Sequence, residues 1–252
     1  MKCLADIVRK TADARILAVE AAKAIRASKI GEESGLFSVP KVVNLDTEVG
    51  VLEFERLSGL VTLLDLAVRK DPRLPTLLER AGQALATVHE KLILPQEMRC
   101  DMPQEWMGTS DENVFIHGDF ACINVCFHEP SGELVIMDWS AAPVVGRTPT
   151  FGSRYFDILL FISSMFHGAP WREISSWDGK GMARTFLRGY RSAAPQIRLS
   201  KLNDYASQIC RLQRKNIWDM ARRRRLLRAA GYVGCQMLMH TRLYSFLHKH
   251  EL

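Results

Sequence analysis

The sequence predicts an α+β chain of two lobes: a small lobe with short strands, then a larger one that is mainly helical. Three observations carry this expectation. Lys41 to Arg56 holds two short runs of strand-forming residues around a turn, Tyr155 onward is almost wholly helix-forming, and the composition changes near Ser58-Gly59. We therefore expect lobes at residues 1–58 and 59–252 sharing a cleft, which suits a chain of 252 residues. The chain is 47% hydrophobic and 25% charged, ordinary for a globular protein. At this length folding buries about 70–75% of the unfolded surface, so no disulfide or metal is needed to hold the fold.

In chain order, Asp13 to Lys29 places Ile16, Val19, Ala22 and Ile25 at helical spacing, and the turn residues of Gly31 to Pro40 close that helix. Lys41–Asn44 and Val49–Arg56 read as strands around Asp46–Glu48. Thr62–Val68 and Leu74–Leu92 read as helices, the second with Leu77, Ala81, Leu85 and Val88 on one face. Val114–Ile116 is a short strand, and Asn124–Phe127 with Glu133–Met137 forms a hairpin about Pro130-Ser-Gly132.

The longest apolar run, Ile158–Ile162, is far short of the roughly 20 residues that span a bilayer, and no signal-peptide pattern opens the chain. The six cysteines form no CxxC pair, so we expect reduced thiols in a soluble cytoplasmic protein. Net charge is +6 with a pI near 9.1. Much of the excess falls on Arg211, Arg214, Lys215 and the run Arg222–Arg225, read as a solvated helix face that can touch anionic surfaces. It lacks the interleaved aromatics of a nucleic-acid platform, so no specific nucleic-acid partner is expected.

The chemistry lies in Ile116-His-Gly-Asp-Phe-Ala-Cys-Ile-Asn-Val-Cys-Phe and the following Leu134-Val-Ile-Met-Asp-Trp139. A strand ends, Asp119 follows on a glycine-bearing loop, Asn124 comes five residues later, and a hairpin returns Asp138. Phosphoryl transfer needs such parts, because its transition state asks for metal ions, an acceptor for the incoming hydroxyl's proton, and positioning. Magnesium takes oxygen ligands and retains waters, so one carboxylate and one amide oxygen suffice. Asp119 suits the proton acceptor, and Asn124 with Asp138 the metal. With that role filled, His117 is read as structural support.

His117-Gly-Asp-Phe-Ala-Cys-Ile-Asn124-Val125 followed by Ile136-Met-Asp138-Trp139 resembles the signature of the aminoglycoside phosphotransferase and choline kinase-like family. The resemblance covers roughly residues 15 to 165 in family order. It implies a protein-kinase-like fold, ATP or another nucleoside triphosphate with Mg2+ as cofactors, and transfer of the γ-phosphoryl group to a small-molecule hydroxyl of the sugar, aminoglycoside or amino-alcohol class. Leu52-Glu-Phe-Glu-Arg-Leu-Ser-Gly59 resembles the family hinge, which places Glu55 and Leu57 beside the adenine. Ala84–His89 resembles its leucine-and-histidine helix, and Gly152–Asp157 the downstream segment whose Asp157 braces the catalytic loop. By the same resemblance Lys2 is the phosphate-binding lysine and Glu20 its helix partner. Only Met1 precedes Lys2, so the nucleotide-covering hairpin is expected to be missing and the sheet lobe truncated. That gap motivates a second reading, a catalytically weak or silent nucleotide-binding scaffold. A protein kinase is disfavoured because no Ala-Pro-Glu follows Asp138. The basic helical half tilts the acceptor from cationic aminoglycosides toward a neutral or anionic molecule.

Overall fold

The computed structural model describes residues 7–140, 148–224 and 226–248. It begins with a strand the sequence reading did not include. β1 (Ile7–Thr11) pairs antiparallel with β3 (Val51–Glu55), which also pairs with β2 (Val42–Asp46), giving the order β1-β3-β2. β3 lies between the other two, and its Leu52, Glu53 and Phe54 are all buried, whereas β1 exposes Val8, Arg9 and Thr11 and β2 exposes Val43, Asn44 and Leu45. Between β1 and β2 runs α1 (Ala14–Ser34), started by Asp13, whose carboxylate accepts the backbone N–H groups of Arg15 and Ile16.

α1 outlasts its expected end by five residues. Gly31 does not break it; it lies buried inside the helix, where an added Cβ would stand 2.4 Å from the Phe37 carbonyl oxygen. The stop is Gly35, at φ 65°, whose N–H returns to the Gly31 carbonyl. The connector beyond is tied to the rest of the chain by backbone bonds: Ser38 N–H donates to the Leu134 carbonyl and Ile136 N–H to the Ser38 carbonyl.

β4 (Leu60–Thr62), β6 (Val125–His128) and β7 (Glu133–Ile136) form a second sheet, in which β6 and β7 are the expected hairpin. β5 (Asn113–Phe115) pairs with β8 (Phe151–Ser153). The helices are α2 (Leu63–Val68), α3 (Leu74–Lys91), α4 (Tyr155–His167), α5 (Gly179–Ala193), α6 (Ala206–Arg222) and α7 (Leu226–His248). α4 is buried along nearly its whole length, as its almost unbroken apolar sequence requires. α3 and α5 cross at glycines: a Cβ on Gly189 would sit 1.9 Å from the Glu79 carbonyl oxygen, and one on Gly82 2.2 Å from that of Phe186. On α6, Arg211, Arg214, Lys215 and Arg222 are exposed, as are Arg223 and Arg224 just after it; Arg225 lies outside the described residues. Among the described residues no helix is long and apolar enough to cross a membrane.

Candidate active site

The loop after β5 is held by one carboxylate. Asp157, fully buried in the first turn of α4, accepts the backbone N–H of His117 at 2.7 Å on one oxygen and that of Gly118 at 2.8 Å on the other. His89 of α3 adds a third bond at 3.0 Å through Nε2. That nitrogen donates to a carboxylate, so Nδ1 must accept from the Tyr190 hydroxyl at 2.9 Å. Burial pushes the Asp157 pKa up, but the His89 and backbone bonds prevail and hold it below the usual carboxylate range. Gly118, at φ 87°, supplies the left-handed turn that a side chain would resist.

His117 is placed as a support. Its Nδ1 accepts the Asp119 N–H at 3.2 Å, which leaves the proton on Nε2, 3.2 Å from the Met137 carbonyl. The ring packs 4.4 Å, centroid to centroid, from Trp139. It thus ties the Asp119 loop to the segment carrying Asp138. Burial, helped by the charge of Lys23, lowers its pKa to about 3, so the ring is neutral at pH 7 and keeps its one proton on Nε2.

Asn124 donates from Nδ2 to both the Asp119 carbonyl and its carboxylate, each at 2.9 Å. Its backbone carbonyl accepts the Met137 N–H at 2.8 Å, so the two candidate metal-binding segments are joined main chain to main chain. Asp119 is pushed up to about 7, first by burial and then by the negative charge of Asp138, against the Asn124 hydrogen bond. A carboxylate poised there can accept a proton near neutral pH. Asp138 adopts φ 55°, unusual for a non-glycine residue. Its Oδ1 accepts Lys10 Nζ at 2.8 Å and the Ser140 hydroxyl at 2.5 Å. Burial raises its pKa, and those two bonds outweigh burial to lower it.

Lys10 was missed in the sequence. Lys2 lies outside the described residues, and the lysine that meets Glu20 is Lys10 on β1, with Nζ 2.5 Å from the Glu20 carboxylate. Burial disfavours its charge, but the bonds to Asp138 and Glu20 prevail and raise its pKa. The available signal was Val8 and Lys10 at strand spacing, ten residues before Glu20.

These groups border a cleft of about 310 Å³ whose lining includes Lys10, Glu20, Glu55, Leu57, Asn124 and Asp138. Val8, Val39, Phe54, Leu60 and Met137 give it apolar walls. The Glu55 carboxylate accepts the Lys41 N–H at 2.7 Å. Asp119 does not line the cleft; it stands behind Asn124. The Asn124 and Asp138 donors are oxygens, the set a hard cation such as Mg2+ prefers. Two protein oxygens would leave the remaining positions of such a cation to phosphate and water ligands.

Three buried histidines, His89, His117 and His240, and the half-buried His167 have pKa values lowered by desolvation, His167 to about 4. His167 Nε2 and both His240 nitrogens are buried without a partner. In the unfolded chain each would titrate near 6.5, so between 6.5 and the folded values the unfolded state binds more protons. The sign follows: stability is fullest above about pH 6.5 and falls on acidification, by up to about 1.4 kcal/mol per pH unit for each histidine. Asp119, raised in the folded state, opposes this with one proton. Thermal midpoints should therefore drop between pH 7 and pH 5; a flat or rising profile would contradict the burial of neutral imidazoles.

No protein-family model and no curated protein matches the chain, but its fold does match solved structures. A choline/ethanolamine kinase family protein from Mesorhizobium loti is 16% identical, covering 97% of this chain and 87% of its own, with a TM-score of 0.54. A glucosamine kinase, solved with glucosamine, ADP and inorganic phosphate, is 15% identical over 87% of this chain and 71% of its own, TM-score 0.59. Amicoumacin kinase hAmiN, in complex with AMP-PNP, Ca2+ and Ami, is 12% identical over 94% and 80%, TM-score 0.53. The chain therefore has the protein-kinase-like fold of small-molecule kinases, as its His-Gly-Asp and Asp-Trp motifs led us to expect.

Proposed function

We propose that this protein transfers the γ-phosphoryl group of ATP, or another nucleoside triphosphate, to a hydroxyl of a small molecule, with residues 1–58 and 59–252 forming the two sides of the nucleotide cleft. The observation that carries this is the convergence of Asp119, Asn124 and Asp138 from separate segments, beside a cleft that also holds the Lys10–Glu20 pair. The solved glucosamine and amicoumacin kinases, which hold ADP and AMP-PNP, support nucleotide as the cleft's ligand.

In this reading the apolar walls take the base, and the hinge backbone at Glu55 and Leu57 recognises its edge. Lys10, oriented by Glu20, gives its ammonium to the phosphates. The Asn124 amide oxygen and the Asp138 carboxylate would hold a magnesium ion, which when bound would neutralise charge on the transferring group. Asp119 takes the acceptor's hydroxyl proton, with Asn124 fixing its carboxylate and Asp157 its backbone. The acceptor belongs to the sugar, aminoglycoside or amino-alcohol class, and the basic helical half favours a neutral or anionic member. Asp119 weighs against the silent-scaffold reading, because a carboxylate held ready for a proton and making no nucleotide contact would then have no task.

The test is calorimetric titration of ATP with and without Mg2+, followed by ADP release across neutral sugars, amino sugars, aminoglycosides and amino-alcohols. Binding should require Mg2+, and Asp138→Ala should remove that requirement along with most of the affinity. An unchanged titration for Asp138→Ala would contradict the metal assignment. Tight magnesium-ATP binding without ADP release for any acceptor would favour the scaffold.

A further inference from the structure

Lys23 is a cation with no role in the mechanism above, yet it is fully buried, at 0% exposure. It lies on α1 three residues after Glu20, and its Nζ donates to the backbone carbonyl of His117. Burying an ammonium costs several kcal/mol unless it is paired and bonded, so a fold keeps one only where its surroundings need it. Four carboxylates surround this one. Asp157, Glu20, Asp119 and Asp138 all act on it electrostatically. Burial lowers its pKa to about 8, so it is still charged at neutral pH.

The geometry makes α1 a bridge. One turn of the helix holds Lys10 through Glu20, on the side of the cleft, and the next holds the peptide unit two residues before Asp119 through Lys23. Asp157 grips the same loop from the opposite direction, through the N–H groups of His117 and Gly118. The loop's carbonyl and amide groups are thus anchored to α1 and to α4 respectively. We propose that Lys23 is a positioning residue for phosphoryl transfer: by binding the His117 carbonyl it fixes the Asp119 loop to α1, so that the lysine–glutamate pair and the proton acceptor keep one geometry.

This rests on the reading of Asp119 as the proton acceptor, so the experiment carries one readout that needs no activity. In Lys23→Met, which keeps length and removes donor and charge, exchange of the Gly118 and Asp119 amide hydrogens should quicken at least tenfold, with α5 amides unchanged. Turnover of magnesium-ATP, followed by ADP release, should fall roughly 10- to 100-fold, the range that misplacement of a reacting group costs. The Michaelis constant for magnesium-ATP should stay within about threefold, because only loop geometry, not the cleft's own contacts, is altered. Lys23→Gln, which restores a donor without charge, should recover part of both losses.

Unchanged loop exchange in a folded Lys23→Met would overturn the proposal, whatever the turnover. So would a loss of nucleotide affinity as large as the loss of turnover. Failure of both variants to fold would overturn it too, making Lys23 a stability element. If the unmodified protein shows no ADP release but Lys23→Met still frees the loop, the phosphotransfer reading fails while the anchoring of the loop stands.

Discussion

Replacing Asp119 with asparagine should cut turnover at least 100-fold while leaving magnesium-nucleotide affinity close to its original value. The size follows from what a proton acceptor contributes, roughly two to four orders of magnitude. The selectivity follows from position: Asp119 lies behind Asn124 and does not line the cleft, so the nucleotide loses no contact. The substitution is nearly isosteric, and its side-chain oxygen can still accept the Asn124 amide. Stability should rise. Asp119 titrates at about 7 in the folded protein and near 3.9 in an unfolded chain, so above pH 7 its ionisation opposes folding, and below about pH 4 it does not. Asp119→Asn should therefore melt higher than the parent at pH 8, with the gain vanishing toward pH 4. A variant that turns over within a few-fold of the parent would remove Asp119 from the chemistry.

The second large effect lies far from the cleft. Gly189→Ala should destabilise the protein by about 3 kcal/mol or more, at or above the usual range for overpacking. A Cβ there meets the Glu79 carbonyl at 1.9 Å, and that oxygen belongs to a helix backbone that cannot rotate away. The whole α3–α5 crossing would have to open, and with it the contact of His89 on α3 with Tyr190 on α5. Gly231→Ala is the internal control. It sits in α7 with nothing within 4 Å of an added Cβ, so alanine should stabilise by roughly 1 kcal/mol through helix propensity alone. Urea denaturation of the pair would settle the contrast; equal stability for Gly189→Ala and the parent would mean the helices are not packed this tightly.

How far these sites were legible in the sequence depends on the range of the interaction involved. The Asp119, Asn124 and Asp138 triad was readable because a loop and a hairpin set its spacing locally, within 20 residues. β2, β3, α3 and the β6–β7 hairpin were readable from periodicity. β4 and β8, three residues each, were not, since so short a strand has almost no pattern and exists only through pairing with β6 and β5. Lys10 was passed over for Lys2 because the choice depends on β1 pairing with β3 more than 40 residues away. Gly31 looked like a helix end because glycine usually is one; the approach of Phe37, a tertiary fact, keeps it inside. Lys23 left no trace at all, for a lysine on an alanine-rich helix reads the same whether its face meets water or the loop of His117.

The paired backbone bonds between Ser38 and the strand before Asp138 have a mechanical consequence. They work like a stitched hem. A rigid swing of β1 and β3 that spared those stitches would carry Lys10 away from Asp138 while the connector after α1 stayed with the β6–β7 hairpin. Opening the cleft to admit a nucleotide would then separate the lysine from the aspartate first, leaving that carboxylate oxygen to the Ser140 hydroxyl alone.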